Sequence, residues 1–271
     1  MVVAIYRRAA KISHVHPDMV EQFMADGFIA LRGVVPASTV SACVELLWAE
    51  IGLSPDDPSG WTDPVRWVYG MGQPPFIQAM NVMPLLEACE ALAGPGRWMP
   101  RGPMGAFPLR FPNEKEPDGL GWHCEGSYKP EGESWYWTNV DSKGRALLAL
   151  YLFTDIDEGD GPTRIRVGSH MDVPEVLAPY GEVGAPGEAL GPQVDAASAN
   201  RPVAYATGQA GDVFVCHPFL VHAAQANHGT RPRFLAQPAI MPNYPYRLDR
   251  PDGELSPVER TIKEALAGPT A

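Results

Sequence analysis

The sequence predicts a mainly β protein, a double-sheet jelly roll with helices before and beside it, on three observations. From about residue 98 onward, short β-prone segments alternate with turn signals, which is the pattern of a sandwich or barrel. Before that point apolar residues recur at helical spacing. The chain has 271 residues, 45% hydrophobic and 20% charged, which suits one ordinary globular domain without forcing a second.

Taken in order, PDMVEQFMAD (17–26) puts Met19, Val20, Phe23 and Met24 at helical spacing, and Gly27 follows as a stop. FIALRGVV (28–35) reads as a strand. Ser38 or Thr39 then offers an N-cap to a helix carrying Val40, Cys43, Leu46 and Leu47. A second helix is expected over 82–93, with an ordered Pro-, Gly-, Asp- and Trp-containing loop over 53–76. The β segments are AFPLRF, GWHCEGSY, RALLALYLFTDI, TRIRV, VAYATG, DVFVC and RFLAQPAIM. Residues 173–208 are long, rich in Pro, Gly and Ala, and aperiodic, and we expect a lid over the mouth of the barrel. The domain plan is therefore a single unit over 1–271, with a helical part about 1–97, a jelly-roll core about 98–245 and the lid-like insert about 173–208.

Acidic residues outnumber basic ones by 32 to 21, a formal net charge of −11, which argues against nucleic-acid binding. Arg7, Arg8 and Lys11 could still form a local basic patch. The four cysteines (Cys43, Cys89, Cys124 and Cys216) are scattered without a CxxC pair, as expected of reduced thiols in a cytoplasm. The N-terminus lacks the apolar stretch of a signal peptide, and no run of about 18 apolar residues is present to span a membrane. High Pro and Ala usage suggests a bacterial source of high GC content, and a monomer or small homo-oligomer is the expected state.

The chemistry concentrates in two places. In GWHCEGSY, His123 and Glu125 stand two apart, and alternate residues of a strand share a face, so an imidazole and a carboxylate converge. A third ligand can come from DVFVCHPFLVHAAQANHGTRPRF, which offers His217, His222 and His228. Two histidines and one carboxylate on one side of a metal leave the opposite positions open, the arrangement of non-haem Fe(II) oxygenases. His-x-Glu alone is a weak signal. His170 reads as a turn residue, His217 as a core histidine and His228 as an exposed one. His14 and His16 are expected in solvent, and Cys124 and Cys216 as small core residues.

Three further segments raise the signal. DGFIALRGVVPAST, TDIDEGDGPTRIRVGSH (with Gly161, Pro162, Gly168, Ser169 and His170) and GDVFVCHPFLVHAAQANHGTRPR (with Gly211, Asp212, His222, Asn227 and Arg233) occur in that order, with the His-x-Glu pair between the first two. In this the chain resembles the phytanoyl-CoA dioxygenase (PhyH) family over nearly its full length. The resemblance implies a cupin-like core, Fe(II) held by His123, Glu125 and His222, and 2-oxoglutarate as cosubstrate with O2. It also implies Arg233 as partner of the distal carboxylate of 2-oxoglutarate, and Arg110 near it. Guanidinium suits that task because its planar fork matches a carboxylate. Arg231, the rival, is restricted by the proline after it.

The chain departs from the family twice: Glu125 stands where Asp is usual, and Ala224 where relatives often have a hydroxyl. Glu125 also argues against halogenation, because halogenating relatives carry a small residue there. The implied reaction is oxidation, by default hydroxylation, of an unactivated C–H bond of a small molecule with release of succinate and CO2. Desaturation, cyclisation and epimerisation are open as outcomes. Trp135 and Trp137 are candidate substrate-pocket residues, and the Trp- and Tyr-bearing loops suit an aromatic or alicyclic secondary metabolite. Two rivals stand beside this reading: a jelly-roll Zn or Mn isomerase or hydrolase, and a non-catalytic binding module.

Overall fold

A computed structural model describes residues 15–100 and 102–268. The suggested basic patch at Arg7, Arg8 and Lys11, and His14, lie outside the described residues. The elements run α1 (Pro17–Asp26), β1 (Phe28–Leu31), α2 (Ala37–Ile51), β2 (Val65–Met71), α3 (Pro74–Met80), α4 (Met83–Ala93), β3 (Trp98–Met99) and β4 (Met104–Arg110). They continue with β5 (Trp137–Thr138), β6 (Leu147–Leu152), β7 (Arg164–Arg166), α5 (Val173–Leu177), β8 (Ala185–Pro186), α6 (Gly187–Ala197) and β9 (Val203–Tyr205). The last are β10 (Val213–Cys216), β11 (His222–Ala223), β12 (Leu235–Ala236), β13 (Ala239–Pro242) and α7 (Pro257–Ala267).

A major sheet has the order β1-β10-β6-β13-β3, with β12 also on β6, and a minor sheet has the order β11-β7-β9. The centre of the major sheet is β6, LLALYL, and every residue of it is buried. Alternation splits its side chains between two apolar layers. Leu148, Leu150 and Leu152 join Phe214, Leu235 and the minor sheet's Ile165 inside the jelly roll. Leu147, Ala149 and Tyr151 face outward into the larger cluster that includes Phe23, Leu85, Leu92, Val258 and Ile262 of the helices. The helices therefore cover the outer face of the major sheet, and the minor sheet is left to carry chemistry.

Several sequence expectations need correction. The strand expected over 28–35 ends at Leu31, because Gly33 turns the chain with φ 59°. Neither Ser38 nor Thr39 caps α2: the cap is Pro36, whose carbonyl accepts the amides of Thr39 and Val40. The 53–76 loop contains a 3-10 turn at Pro58–Gly60 and all of β2, which pairs with β4 from Val65↔Arg110 to Met71↔Met104. Residues 173–208, aperiodic in sequence, hold α5, β8, α6 and β9, with Pro192 inside α6.

His217 is a core residue, as expected, and His170, expected as a turn residue, lies in a 3-10 turn (Ser169–Met171) but is fully buried as well. Their rings lie 4.9 Å apart, His170 Nε2 donates to Met24 O at 3.0 Å, and His217 Nδ1 accepts from Phe219 N at 3.1 Å. Gly27 closes over them: its φ is 84°, and a Cβ there would sit 2.6 Å from His170 Nδ1. Burial pushes the His170 imidazole down to about 4 and holds His217 well below its ordinary value. Between about pH 6.5 and pH 4 the unfolded chain therefore takes up protons that the folded chain refuses. Stability from these two groups is fully present above about pH 6.5 and falls as pH is lowered, by up to about 1.4 kcal/mol per pH unit for His170. Urea unfolding at pH 7.5 and pH 5 checks this, and His170→Asn should reduce the difference.

Candidate metal centre

The backbone brings the triad together in one register. His123 and His222 are directly opposite in an antiparallel bridge, exchanging N–H···O bonds of 3.0 and 2.9 Å, so both rings stand on one face. Glu125, two residues further along, returns to that face. The segment GWHCEGSY is held by isolated bridges at His123 and Tyr128 and lacks the regular strand that its sequence suggests.

Each imidazole is oriented by the chain just before it. His123 Nδ1 lies 2.9 Å from Gly121 O, and His222 Nδ1 lies 3.0 Å from Leu220 O. A carbonyl only accepts, so the proton sits on Nδ1 and each Nε2 offers a lone pair. His222 Nε2 lies 3.4 Å from Glu125 Oε1 and is buried without a hydrogen-bond partner. Two lone-pair donors therefore face each other in a buried site, which is unfavourable unless a cation lies between them.

The ligand atoms of His123, Glu125 and His222 lie within 4.8 Å of one another. Burial, reinforced by His222, lowers the His123 pKa and keeps that ring neutral. Burial alone would raise the Glu125 carboxyl, but Arg145 and then the two imidazoles hold it well below the usual carboxylate range. Two imidazoles and one carboxylate, aimed at a common point, are the donor set that non-haem Fe(II) takes. The residues fit the metal.

A second pair lies at the far end of β4. Arg110 and Arg233 form another antiparallel bridge, with N–H···O bonds of 2.9 and 2.7 Å, so their side chains share a face. Arg233 donates Nη1 to Gly161 O at 3.0 Å and Nη2 to Pro108 O at 2.9 Å. Its Nε, and the Nε and Nη1 of Arg110, are buried without partners. Burial pushes the Arg110 pKa down to about 10, and burial together with the charge of Arg110 lowers that of Arg233. Two like charges with unused donors in a dry place call for an anion. Arg231 is engaged elsewhere, with Asp157 and Asp160 at 2.7 Å each.

A cleft of about 530 Å3 reaches Glu125 from the surface, lined by Tyr69, Met104, Tyr136, Arg145 and Met241 among others. Trp135 and Trp137 are absent from its lining: Trp135 is exposed, and Trp137 is held in β5 against Tyr128 and Pro186. The aromatic residue of that run in the cleft wall is Tyr136. A larger cleft of about 710 Å3, lined by Asp141, Glu182 and Asp249, includes none of the triad. His228, as expected, is exposed, 3.4 Å from Glu116.

Residues 107–235 match the family model Phytanoyl-CoA dioxygenase (PhyH). Over this span, a little under half of the chain, the sequence is similar to that family. The matched span contains His123, Glu125 and His222 as well as Arg110 and Arg233. Solved structures with the same fold include apo EctD from S. alaskensis, at 18% identity and TM-score 0.54, covering 90% of this chain and 85% of that one. HygX from Streptomyces hygroscopicus, solved with nickel and 2-oxoglutarate, is 19% identical with TM-score 0.55, covering 90% of this chain and 94% of that one. The epimerase SnoN, solved with Fe3+, alpha ketoglutarate and nogalamycin RO, is 19% identical with TM-score 0.56, covering 89% and 91%. At such identities the likeness is one of fold. No curated protein matches by sequence.

Proposed function

We infer that the protein is an Fe(II)- and 2-oxoglutarate-dependent oxygenase acting on a small molecule. The observation that carries this is, within the PhyH-like span, the buried His222 Nε2, without a hydrogen-bond partner and facing Glu125 Oε1 at 3.4 Å, with His123 in the same face. On this reading His123, Glu125 and His222 hold iron, and Arg233 with Arg110 binds the distal carboxylate of 2-oxoglutarate. The second guanidinium offsets the missing hydroxyl at Ala224. Bound iron supplies activation of O2 coupled to oxidative decarboxylation of the cosubstrate. The protein turns each Nδ1 to a backbone carbonyl so that each Nε2 faces the site, holds Glu125 ionised and shields the cosubstrate's charge from water.

The substrate enters, we propose, by the Tyr69–Tyr136 cleft, and an aromatic or alicyclic secondary metabolite suits these walls better than a CoA ester suits a chain of net charge −11. Residues 173–208 line no part of this cleft, and their proposed role as its cover acts through the loop beside it. They are bonded to the loop that carries Tyr136, through the β5–β8 pair, Gly187 N to Tyr136 O at 3.1 Å and the Tyr128 hydroxyl to Val183 O. Four buried free cysteines support a reducing, cytoplasmic compartment, the acidic balance argues against a nucleic-acid partner, and the Pro and Ala usage suggests a bacterial source. No helix among the described residues is long and apolar enough to cross a membrane.

The test is turnover of the cosubstrate. Purified protein given Fe(II), O2 and 2-oxoglutarate should form succinate slowly without substrate, and faster in the presence of a compound that fits the cleft. Iron-loaded protein that never consumes 2-oxoglutarate, yet transforms a substrate with Zn or Mn, would favour the isomerase or hydrolase reading.

A further inference from the structure

Glu125 is one methylene longer than the aspartate usual at its position, so something must take up the extra reach. The side chain in contact with it comes from twenty residues downstream. Arg145 donates Nη2 to Glu125 Oε2 at 3.3 Å, while its Nε and Nη2 donate to Gly126 O at 3.0 and 2.8 Å. The guanidinium is thus pinned to the backbone beside the ligand and touches only the carboxylate oxygen that faces away from His222. The other oxygen, Oε1, is the one 3.4 Å from His222 Nε2. The side chain of Arg145 is about nine-tenths buried, which limits the competition of water for this contact.

The turn that delivers Arg145 is built for the purpose. Ser142 is the single non-glycine residue with positive φ (42°) among the described residues, a conformation that residues with a side chain rarely adopt. It is held there by Ser142 Oγ donating to Arg145 O at 2.7 Å and by Arg145 N donating to Ser142 O at 3.1 Å. Gly144 lies so close to the loop behind the ligand that a Cβ would sit 2.0 Å from Ser127 O, and its amide donates to Ser127 Oγ at 2.8 Å. Strain at Ser142 and the close approach at Gly144 both serve to place one guanidinium beside one carboxylate.

We propose that Arg145 is the positioning residue for the metal carboxylate, occupying Glu125 Oε2 so that Oε1 alone is presented to the metal. The proposal rests on the iron reading above. It makes Arg145 and Glu125 a matched pair: shortening the acid withdraws the carboxylate by about 1.5 Å, one carbon–carbon bond, and takes it out of the guanidinium's reach.

Anaerobic Co(II) titration, followed by the d–d absorption of the bound ion, tests this without turnover. Four proteins are compared: native, Arg145→Met, Glu125→Asp and the double variant, with melting temperatures recorded for each. Arg145→Met should weaken Co(II) binding by roughly 10- to 100-fold, as loss of an outer partner of a ligand does, and change the band shape. In the Glu125→Asp background the same change should cost less than about threefold, on the non-additivity expected of residues in contact. Arg145→Lys, which keeps the charge but loses the fork, should fall between native and Arg145→Met, and it replaces Arg145→Met in the comparison if that variant fails to fold. Unchanged Co(II) affinity on loss of Arg145, or the same fold-loss in both backgrounds, overturns the pairing while leaving the iron site standing. Native protein that binds no Co(II) overturns the iron reading itself.

Discussion

Alanine in place of His222 is expected to abolish iron binding and, with it, all consumption of 2-oxoglutarate, whereas alanine at His217 should leave iron binding in place. The two residues are five apart in one segment, yet their surroundings differ. His222 turns its Nε2 toward Glu125 and His123 and finds no hydrogen-bond partner there. His217 has both ring nitrogens engaged, Nδ1 with Phe219 N and Nε2 with Thr261 Oγ1 at 3.2 Å, and no triad residue beside it. Removing one of three protein ligands leaves two donors on a centre that needs three. The loss should therefore exceed the roughly 10- to 100-fold that an outer hydrogen-bond partner is worth. His217→Ala should instead lower the melting temperature, because it leaves a cavity beneath Phe23 and Phe219. Iron content after anaerobic loading and desalting, read beside a thermal melt, separates the two effects. Iron retained by His222→Ala at native stoichiometry would remove it from the triad.

Arg233→Met should raise the 2-oxoglutarate requirement by about 10²- to 10³-fold while leaving iron affinity near its native value. Losing one partner of a buried, hydrogen-bonded charge pair costs about 3–4 kcal/mol, which is two to three factors of ten in affinity. The effect is large because Arg233 is buried and water cannot substitute for it. A thermal melt gives a second readout. At 2-oxoglutarate one hundred times its dissociation constant, the native protein should gain about 2.7 kcal/mol of stability, and the variant should gain almost none at the same concentration. Arg110→Met should show the same pattern more weakly, since Arg233 would still grip the anion. A native thermal shift in Arg233→Met would mean that the anion binds elsewhere.

The pair His123 and Glu125 is legible because the two residues are two apart, whereas His222 stands out from His217 and His228 only through the family resemblance, by its distance before Arg233. What the sequence could not supply is the pairing across strands that puts His123 opposite His222, and Arg110 opposite Arg233. Arg145 passed unnoticed for a related reason: its contact with Glu125 runs across twenty residues through a turn whose left-handed Ser142 has no sequence signature, since glycine is the usual residue for that conformation. Trp135 and Trp137 flank the cleft residue Tyr136 without lining the cleft, because Trp135 sits in an exposed bend before β5 and Trp137 is paired in β5 with Pro186; neither placement has a periodic signature in the sequence. Strand β2 was hidden because its Trp67 and Tyr69 point outward, so it lacks the polar-out alternation of a half-buried strand. In residues 173–208, Pro192 within α6 and the glycines around it masked a helix that tertiary packing imposes through Leu190 and Val194.

The most direct test is the visible spectrum of the protein given Fe(II) and then 2-oxoglutarate with oxygen excluded. A metal-to-ligand charge-transfer band should appear only when both are present, vanish in His123→Ala and need more 2-oxoglutarate in Arg233→Ala. Stoichiometrically bound iron that gives no band at saturating 2-oxoglutarate would contradict the assignment.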